Sequence, residues 1–204
     1  MDATFWNQRY QEKEFAYGNE ANEFLKEELI KLKPGKILFA AEGEGRNAVF
    51  AAENGWEVIA FDQSEEGKRK ALQLAKERKV ELLYEVGDAL VLEWPRDSFD
   101  AVVLIYSHMP PEVRKGFHGK LKEILKVNGL VIMEGFSLNN LEYVAKNPKV
   151  GGPKNPDYLF SKAMVETEFP GIEILYLEQK VIELKEGNYH NGTGSVIRFI
   201  GKKS

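Results

Sequence analysis

The segment KILFAA, residues 36–41, constrains the fold more than any other part of the sequence. After Lys36 it is an uninterrupted apolar run, which is typical of a strand that is covered on both faces in a parallel sheet. Parallel strands are joined by crossover connections, which are usually helices. A glycine-rich turn follows the run at once, and then a helix of roughly residues 45–54 that ends at Asn54-Gly55. The sequence therefore predicts a strand–turn–helix unit inside a doubly wound α/β fold.

Strand and helix patterns alternate through the first two thirds of the chain. One helix is predicted within residues 21–32, and Ser64 is placed to cap another after the second strand. A further helix begins at Pro111 and is predicted to end at Asn128-Gly129. Strands are predicted at residues 56–62, 81–88, 99–107 and 129–136. Consecutive strand–helix units of this kind imply a parallel sheet with right-handed crossovers.

The last third of the chain has a different pattern. Residues 147–158 are rich in glycine and proline and predict a loop, whose length suggests a functional role. Two long strands follow at residues 172–184 and 194–201, joined by the segment EGNYHNGT. They predict an antiparallel hairpin at the edge of the sheet.

Composition excludes several kinds of site and partner. The chain has no cysteine, which excludes disulfides, thiolate metal sites and a cysteine nucleophile. His108, His118 and His190 share no helical metal-ligand spacing, so no metal is expected. The net charge of −4 and the lack of a dense basic patch argue against nucleic acid as a partner. The longest apolar run, residues 101–106, is too short to cross a membrane, so a cytoplasmic protein of one domain, residues 1–204, is expected.

The glycine-rich turn carries a nucleotide-binding pattern. Gly43, Gly45 and Ala48 satisfy G-x-G-x-x-A between a strand and a helix, and Asp62 follows at the end of the next strand. Both features fit the dinucleotide fingerprint, in which the acid holds a ribose hydroxyl pair. The pattern alone also fits any protein of this architecture that binds an adenosine-containing ligand. An NAD(P)-dependent oxidoreductase is therefore one hypothesis.

Charge distinguishes between the possible ligands. Glu42 directly precedes the two glycines and Glu44 lies between them. One carboxylate about 5 Å from a phosphate charge costs about 3 kcal/mol at an effective dielectric constant of about 20. S-adenosylmethionine has no phosphate and carries a sulfonium and an ammonium group, so an acidic turn suits it. The alternative is that both glutamates point to solvent.

Two further acids are placed to bind adenosine. Asp62, followed by Gln63, lies where the carboxyl end of a strand meets the ligand crevice, and we expect it to bind the ribose hydroxyls. Asp88, between Gly87 and Ala89, ends the third strand and is the candidate acceptor for the adenine amino group. For both acids the alternative is a turn or helix-capping aspartate.

These positions resemble the class I S-adenosylmethionine-dependent methyltransferases. The strand–glycine turn–helix, Asp62, the Gly87-Asp88 pair, the segment LKVNG before the fifth strand and the terminal hairpin fall in the order of that family. The resemblance implies a mostly parallel seven-stranded sheet of order 3-2-1-4-5-7-6, with strand 7 antiparallel. It implies S-adenosylmethionine as cofactor, S-adenosylhomocysteine as product and no metal. The cofactor-binding residues that it implies are Tyr17, Glu42, Gly43, Gly45, Arg46, Asn47, Asp62, Gln63, Asp88, Ala89 and Tyr106.

A narrower resemblance extends over almost the whole chain. Seven features resemble the small methyltransferases related to tellurite-resistance and thiopurine enzymes: WNQRY, Tyr17-Gly18, EGEGRNAV, DQS, His108 with Pro110-Pro111, GGP and EGNYHNG. By this resemblance, residues 1–33 form a lid and a helix, and the loop 147–158 lies near the pocket; the alternative for the N-terminal segment is a short helix packed on the outside. The chain departs from most class I enzymes at Phe39, where they have an acid, and at Ala41, where they have a glycine. Glu42 is the candidate substitute for that acid, which helps to hold the methionine ammonium group.

Four residues are candidates for the acceptor pocket: His108, Glu134, Phe136 and His190. The first three follow or end strands that open on the cofactor side of a parallel sheet, and His190 lies in the predicted hairpin turn. Each has a plainer alternative: a helix cap for His108, an exposed edge acid for Glu134, core packing for Phe136 and turn chemistry for His190. Methyl transfer depends strongly on positioning, so no catalytic triad is expected.

The sequence thus favours a methyltransferase for a small-molecule acceptor, such as a thiol or a chalcogen oxyanion. A non-catalytic S-adenosylmethionine-binding protein is the alternative, and the NAD(P)-dependent oxidoreductase is disfavoured by the acidic turn. We expect no nucleic-acid or membrane partner, and a monomer or a homodimer.

Overall fold

The apolar strand predicted at residue 36 lies at the centre of the sheet. In the computed structural model, which describes residues 2–204, this strand is β1 (Lys36–Ala40). Leu38 belongs to the hydrophobic cluster on one face of the sheet, and Ile37 and Phe39 belong to the cluster on the other face. None of the three has exposed surface. The apolar run therefore reflects burial on both faces, as the sequence predicts.

Six further strands complete one sheet: β2 (Glu57–Asp62), β3 (Leu83–Val86), β4 (Phe99–Ile105), β5 (Leu125–Phe136), β6 (Ile172–Glu186) and β7 (His190–Lys203). Their order is β3-β2-β1-β4-β5-β7-β6. Neighbouring strands pair in parallel except for β7, which is antiparallel to both β5 and β6. The doubly wound arrangement and the order 3-2-1-4-5-7-6 are confirmed.

The helices are α1 (Ala3–Tyr10), α2 (Glu23–Leu29), α3 (Arg46–Glu53), α4 (Glu65–Arg78), α5 (Pro111–Ile124), α6 (Asn140–Lys146) and α7 (Lys162–Glu168). The predicted cap of α4 is confirmed, since the Ser64 hydroxyl accepts the N–H of Gly67 at 3.0 Å. The predicted glycine and proline loop contains two short 3₁₀ turns, Pro148–Val150 and Pro156–Tyr158. Within residues 2–204, no helix has the length and apolar character that a membrane crossing requires.

The predicted end of α5 at Asn128-Gly129 is wrong. The helix ends at Ile124, and Leu125 already pairs with Phe99 of β4. The pairing register shifts after this pair, and Asn128 adopts a left-handed conformation with φ of 63°. The Asn-Gly pair therefore turns the chain inside β5 rather than ending the helix.

The predicted hairpin is confirmed, but its turn is shorter than expected. Both strands extend toward each other until Glu186 pairs with His190, which leaves Gly187, Asn188 and Tyr189 as the connection. His190 is therefore the first residue of β7 rather than part of the turn. This position holds its side chain on a strand next to Glu186.

Gly45 is required where the turn after β1 meets α4. Its φ is 86°, a conformation that side-chain-bearing residues rarely adopt. A Cβ atom at this position would lie 2.4 Å from the Cβ and 2.8 Å from the Cα of Ala71 in α4. Gly45 thus permits both the turn into α3 and the close packing of α3 against α4.

We expect Gly45→Ala to lower the free energy of unfolding by about 2–4 kcal/mol, because it adds a left-handed alanine and an overlap with backbone atoms. Gly119→Ala in α5 is the matched control, since no atom of residues 2–204 outside its own helical turn lies within 4 Å of the place that its Cβ would take. It should raise the free energy by about 0.5–1 kcal/mol through helix propensity. Urea denaturation measures both changes, and equal stability of Gly45→Ala and the natural protein would contradict this role.

Candidate active site

A cavity of about 300 Å³ opens at the carboxyl ends of β1, β2, β4 and β5. These strand ends supply Glu42, Asp62, Tyr106 and Phe136 to its wall. The N-terminal segment, the loop 147–158 and the start of β7 close the remaining sides. In open α/β sheets this is the edge at which ligands bind. We call it the main cavity.

Most of the predicted cofactor-binding residues line the main cavity: Tyr17, Glu42, Arg46, Asn47, Asp62, Gln63, Ala89 and Tyr106. Gly43 and Gly45 do not line it. A Cβ atom at Gly43 would lie 2.6 Å from the Tyr10 hydroxyl, so glycine is needed there for the approach of the N-terminal segment. The two glycines therefore shape the turn instead of forming the wall.

Asp88 lies outside the wall of the main cavity, although its neighbours Gly87 and Ala89 belong to it. Its Oδ1 accepts the backbone N–H of Leu90 at 2.7 Å. The carboxylate thus serves the turn after β3, which is the alternative that the sequence left open. Its predicted contact with adenine gains no support from this position.

The Glu42 side chain accepts hydrogen bonds from backbone N–H groups at the start of α3. Its Oε1 accepts the backbone N–H groups of Asn47 and Ala48, both at 2.8 Å. Free N–H groups at such a helix start are what a bound phosphate normally uses. Burial raises the pKa of Glu42 to about 7, although these N–H groups and Arg46 partly oppose the rise. A carboxylate therefore already occupies the position of a phosphate.

Glu44 does not face the ligand. It is buried and forms an ion pair with Lys70 of α4 at 2.7 Å, and its other oxygen accepts the N–H of Ala16 at 2.8 Å. The expected repulsion of a phosphate by two acids is therefore wrong for Glu44, because Lys70 compensates its charge. Neither glutamate simply points to solvent. Lys70 also donates to the carbonyl of Glu14, so the pair ties the N-terminal segment to the turn and to α4.

Asp62 combines a structural and a cavity-facing role. Its two oxygens accept the N–H groups of Gly43 at 3.0 Å and Ser64 at 2.9 Å, which fixes the glycine turn against the end of β2. Burial raises the pKa of Asp62 to about 6, although these N–H groups lower it in part. Since a carboxylate has about four acceptor positions, Asp62 retains capacity for a ligand in the cavity.

The N-terminal segment lines the main cavity with one side of α1. Phe5, Trp6, Arg9 and Tyr10 contribute to the wall. The Asn7 side-chain oxygen accepts from the Ser64 hydroxyl at 2.7 Å and from the N–H of Glu66 at 3.1 Å, which attaches α1 to the start of α4. This placement agrees with the lid hypothesis better than with an outside helix.

His108 lines the main cavity, but both of its ring nitrogens are engaged. Nδ1 donates to the carbonyl of Tyr158 at 2.7 Å, and Nε2 accepts the N–H of Phe136 at 3.1 Å. Burial lowers the pKa of His108 to about 4, so the ring is neutral at pH 7. His108 therefore has no lone pair left to accept a proton from a substrate. Phe136 also lines the cavity and stacks on this ring.

Glu134 was expected in the acceptor pocket and lies outside the main cavity. It has no exposed surface and accepts from the Asn22 amide at 2.7 Å, the Tyr106 hydroxyl at 3.0 Å and the Arg198 guanidinium at 2.6 Å. Arg198 is its direct partner in the β5–β7 pairing, which draws the carboxylate away from the cavity. Glu134 thus holds the Tyr106 hydroxyl from outside the cavity wall. Because it is fully buried, it is also not an exposed acid at the sheet edge, which was the alternative.

His190 presents one unpartnered ring nitrogen at the main cavity. Nδ1 donates to Glu186 Oε2 at 3.1 Å, whereas Nε2 has no hydrogen-bond partner within residues 2–204. Burial lowers the pKa of His190 more than Glu186 raises it, so the ring is neutral at pH 7. The neutral ring carries its proton on Nδ1 and its lone pair on Nε2.

Glu186 is the supporting residue that sequence reasoning missed. Burial would raise its pKa, but Arg46 and His190 lower it to about 2, so the group is ionised. Arg46 pairs with it at 3.0 Å. The only sequence signal is the segment EGNYH, in which a tight hairpin turn brings the glutamate opposite the histidine. Among residues 2–204, no group of three acidic or histidine side chains could hold a metal ion.

Comparison with known proteins gives a family match for the central part of the chain. Residues 37–129 match the family model described as a methyltransferase domain. This range runs from β1 to the turn inside β5 and contains the glycine turn, Asp62 and Asp88. No protein of curated function matches the chain in sequence.

Several solved structures share the fold. One, from work on the conversion of a disulfide bond into a thioacetal group during echinomycin biosynthesis, is 17% identical with a TM-score of 0.79, and the match covers 100% of this chain and 90% of that one. A SAM-dependent methyltransferase from Anabaena variabilis is 17% identical with a TM-score of 0.73, covering 99% of this chain and 93% of that one. TehB from Haemophilus influenzae is 14% identical with a TM-score of 0.71, covering 99% of this chain and 67% of that one. Residues 37–129 thus carry a methyltransferase domain, and the strand order of the whole sheet is the one that the class I S-adenosylmethionine-dependent methyltransferase fold requires.

Proposed function

We propose that the methyl acceptor is a small, soft nucleophile, with thiols as the first class and chalcogen oxyanions as the second. One observation carries this proposal: His190 presents an unpartnered Nε2, among residues 2–204, at an aromatic wall of the cavity that also holds the predicted cofactor residues. The acceptor and the cofactor would then share the main cavity.

The residues of the main cavity fit S-adenosylmethionine better than a dinucleotide. Glu42 fills the helix start that a pyrophosphate would need, and it suits the methionine ammonium group instead. Asp62 retains acceptor positions for the ribose hydroxyls, with Gln63 beside it. We assign the adenine end to the backbone around Gly87 and Ala89 rather than to the side chain of Asp88. When bound, the cofactor supplies an electrophilic methyl group on a sulfonium.

Two aromatic rings, those of Tyr106 and Phe136, pack against the His190 ring that carries the unpartnered nitrogen. The Tyr106 ring lies 4.4 Å from the His190 ring and 4.7 Å from the Phe136 ring, and the Phe136 and His190 rings are 5.0 Å apart. Aromatic faces attract cations such as a sulfonium. An apolar wall also removes water from a nucleophile, which suits a polarisable sulfur better than a strongly hydrated oxygen. The main cavity, at about 300 Å³, is at the small end of the range for ligand pockets, which favours a small acceptor over a bulky one.

His190 can accept the proton of a thiol at Nε2. Glu186 holds the Nδ1 proton and so keeps the lone pair on Nε2, and it stabilises the imidazolium that forms. The resulting thiolate is the nucleophile. His108 cannot share this role because both of its nitrogens are engaged.

The similarity to the structure from echinomycin biosynthesis supports a sulfur acceptor. The conversion named for that protein takes place at a disulfide bond and yields a thioacetal group. Its fold covers the whole of this chain, so the terminal hairpin that carries His190 lies within the shared architecture.

We expect the protein to methylate thiols. We also expect His190→Gln to lower kcat/KM more for a weakly acidic thiol than for a strongly acidic one. The variant should lower kcat/KM for an alkyl thiol about 100-fold or more at pH 7, because this acceptor arrives protonated. It should change kcat/KM for an aromatic thiol, which is already largely ionised, by less than about threefold. Release of S-adenosylhomocysteine measures both rates.

Calorimetric affinity for S-adenosylhomocysteine is the control for this variant and should stay unchanged. An equal loss for both thiols would contradict a proton-accepting role for His190. Cofactor binding without turnover of any alkyl or aromatic thiol would contradict thiols as the acceptor class.

We also expect cofactor binding to release protons at pH 7 if Glu42 holds the ammonium group. The pKa of Glu42 is about 7, so about half of this group is protonated in the free protein, whereas a bound cation favours the ionised form. Affinity for S-adenosylhomocysteine should therefore rise by up to about tenfold from pH 6 to pH 7.5. Calorimetry in buffers of different ionisation enthalpy measures the proton release.

Glu42→Gln should remove most of this pH dependence and leave a smaller part near pH 6, where Asp62 titrates. Glu93→Gln is the matched control, because Glu93 is exposed and does not line the main cavity. Buffer-independent heats for the natural protein would contradict the assignment of Glu42.

A further inference from the structure

Arg9 has the least satisfied charge in the wall of the main cavity. Its guanidinium donates to the Tyr17 hydroxyl at 3.2 Å, and within residues 2–204 no carboxylate lies within 4.0 Å of it. The other arginine of this wall, Arg46, pairs with Glu186 at 3.0 Å. A guanidinium has five N–H donors, so Arg9 retains most of its hydrogen-bonding capacity.

Two aromatic rings hold the Arg9 guanidinium in place. Its central carbon lies 3.8 Å from the centroid of the Tyr189 ring and 5.1 Å from that of Phe5. A guanidinium that stacks on aromatic faces keeps its N–H edge available and is ordered before a ligand arrives. Such an edge matches a carboxylate or another oxyanion, which can accept two parallel hydrogen bonds.

Arg9 lies on the same side of the cavity as the unpartnered nitrogen of His190. The Tyr17 ring, whose hydroxyl accepts from Arg9, lies 4.5 Å from the His190 ring. Tyr189, on which Arg9 stacks, directly precedes His190 in the chain. The acids Glu42 and Asp62 belong to strand ends β1 and β2 instead. Positive charge is thus placed toward the proposed acceptor, and negative charge toward the predicted cofactor groups.

We propose that Arg9 binds an oxyanion, typically a carboxylate, of a ligand in the main cavity, and its place beside His190 favours the acceptor as the source of that anion. This inference rests on the proposed function and narrows it to soft nucleophiles that also carry a negative group. The methionine carboxylate of the cofactor is the other possible source of the same chemistry.

The test compares 2-mercaptobenzoate with thiophenol, which differ by one carboxylate. Arg9→Met should raise the KM for 2-mercaptobenzoate about tenfold or more and change that for thiophenol by less than about twofold. Arg9→Lys should recover part of the loss, since it keeps the charge without the planar edge. Arg96→Met is the matched control, because Arg96 is exposed and pairs with Glu123 on the surface, away from the main cavity wall.

Binding measurements separate the two sources and do not depend on turnover. Calorimetry of 2-mercaptobenzoate added to the complex with S-adenosylhomocysteine should show the same loss in Arg9→Met. A loss of S-adenosylhomocysteine affinity with unchanged affinity for 5′-methylthioadenosine, which lacks the carboxylate, would support the oxyanion site and assign it to the cofactor. Two results would overturn the proposal. One is that Arg9→Met leaves the affinities for all four compounds unchanged. The other is that it lowers affinity equally for 2-mercaptobenzoate and thiophenol, and equally for S-adenosylhomocysteine and 5′-methylthioadenosine.

A failure of the proposed function is distinguishable from a failure of this inference. If the natural protein turns over neither thiol, the acceptor class is wrong, and the binding comparison still decides whether Arg9 holds an oxyanion. If both thiols are methylated and Arg9→Met changes the KM and the affinity for both by the same factor, the acceptor class stands and the role of Arg9 is wrong.

Discussion

The contact between Glu42 and the start of α3 is the constraint on which the site depends. In many α/β proteins the free N–H groups at this helix start receive a phosphate. Here the Glu42 carboxylate accepts two of them, and Asp62 accepts the N–H of Gly43 from the end of the next strand. The glycine turn is therefore complete without an anionic ligand. It presents carboxylates to the cavity, which selects a cofactor that carries positive charge.

The N-terminal segment makes the edge of the sheet into a cavity. It is attached at three places: the buried pair of Lys70 and Glu44 binds the backbone of Glu14 and Ala16, Asn7 accepts from the start of α4, and the turn between β6 and β7 donates to Ala16 and Glu12. Breaking a buried ion pair on one side typically costs about 3–5 kcal/mol, so this attachment is strong for a segment that carries little core of its own. The same segment supplies Arg9 and the aromatic rings of the cavity wall.

The sequence predicted the parts of the structure that depend on local pattern. The apolar run of β1, the Ser64 cap and the edge hairpin follow from spacing and residue type, and the strand order followed from the family resemblance. The errors concern contacts between distant segments. Lys70 compensates the charge of Glu44, and Arg198 draws the Glu134 carboxylate away from the cavity. Both cations are distant in sequence from their acids, since α4 and β7 come to lie beside these acids only when the chain has folded. Nor could the pattern show that Asn128-Gly129 bends a strand, since the same pair commonly ends helices.

The central claim is that the acidic glycine turn binds S-adenosylmethionine and not a phosphate-bearing nucleotide. Calorimetric titration of the purified protein with S-adenosylhomocysteine and, separately, with NADH tests it most directly. The structure predicts micromolar or tighter binding of S-adenosylhomocysteine and no binding of NADH, because Glu42 occupies the place of the pyrophosphate. Binding of NADH with no binding of S-adenosylhomocysteine would contradict the account of the turn and, with it, the proposed chemistry of the cavity.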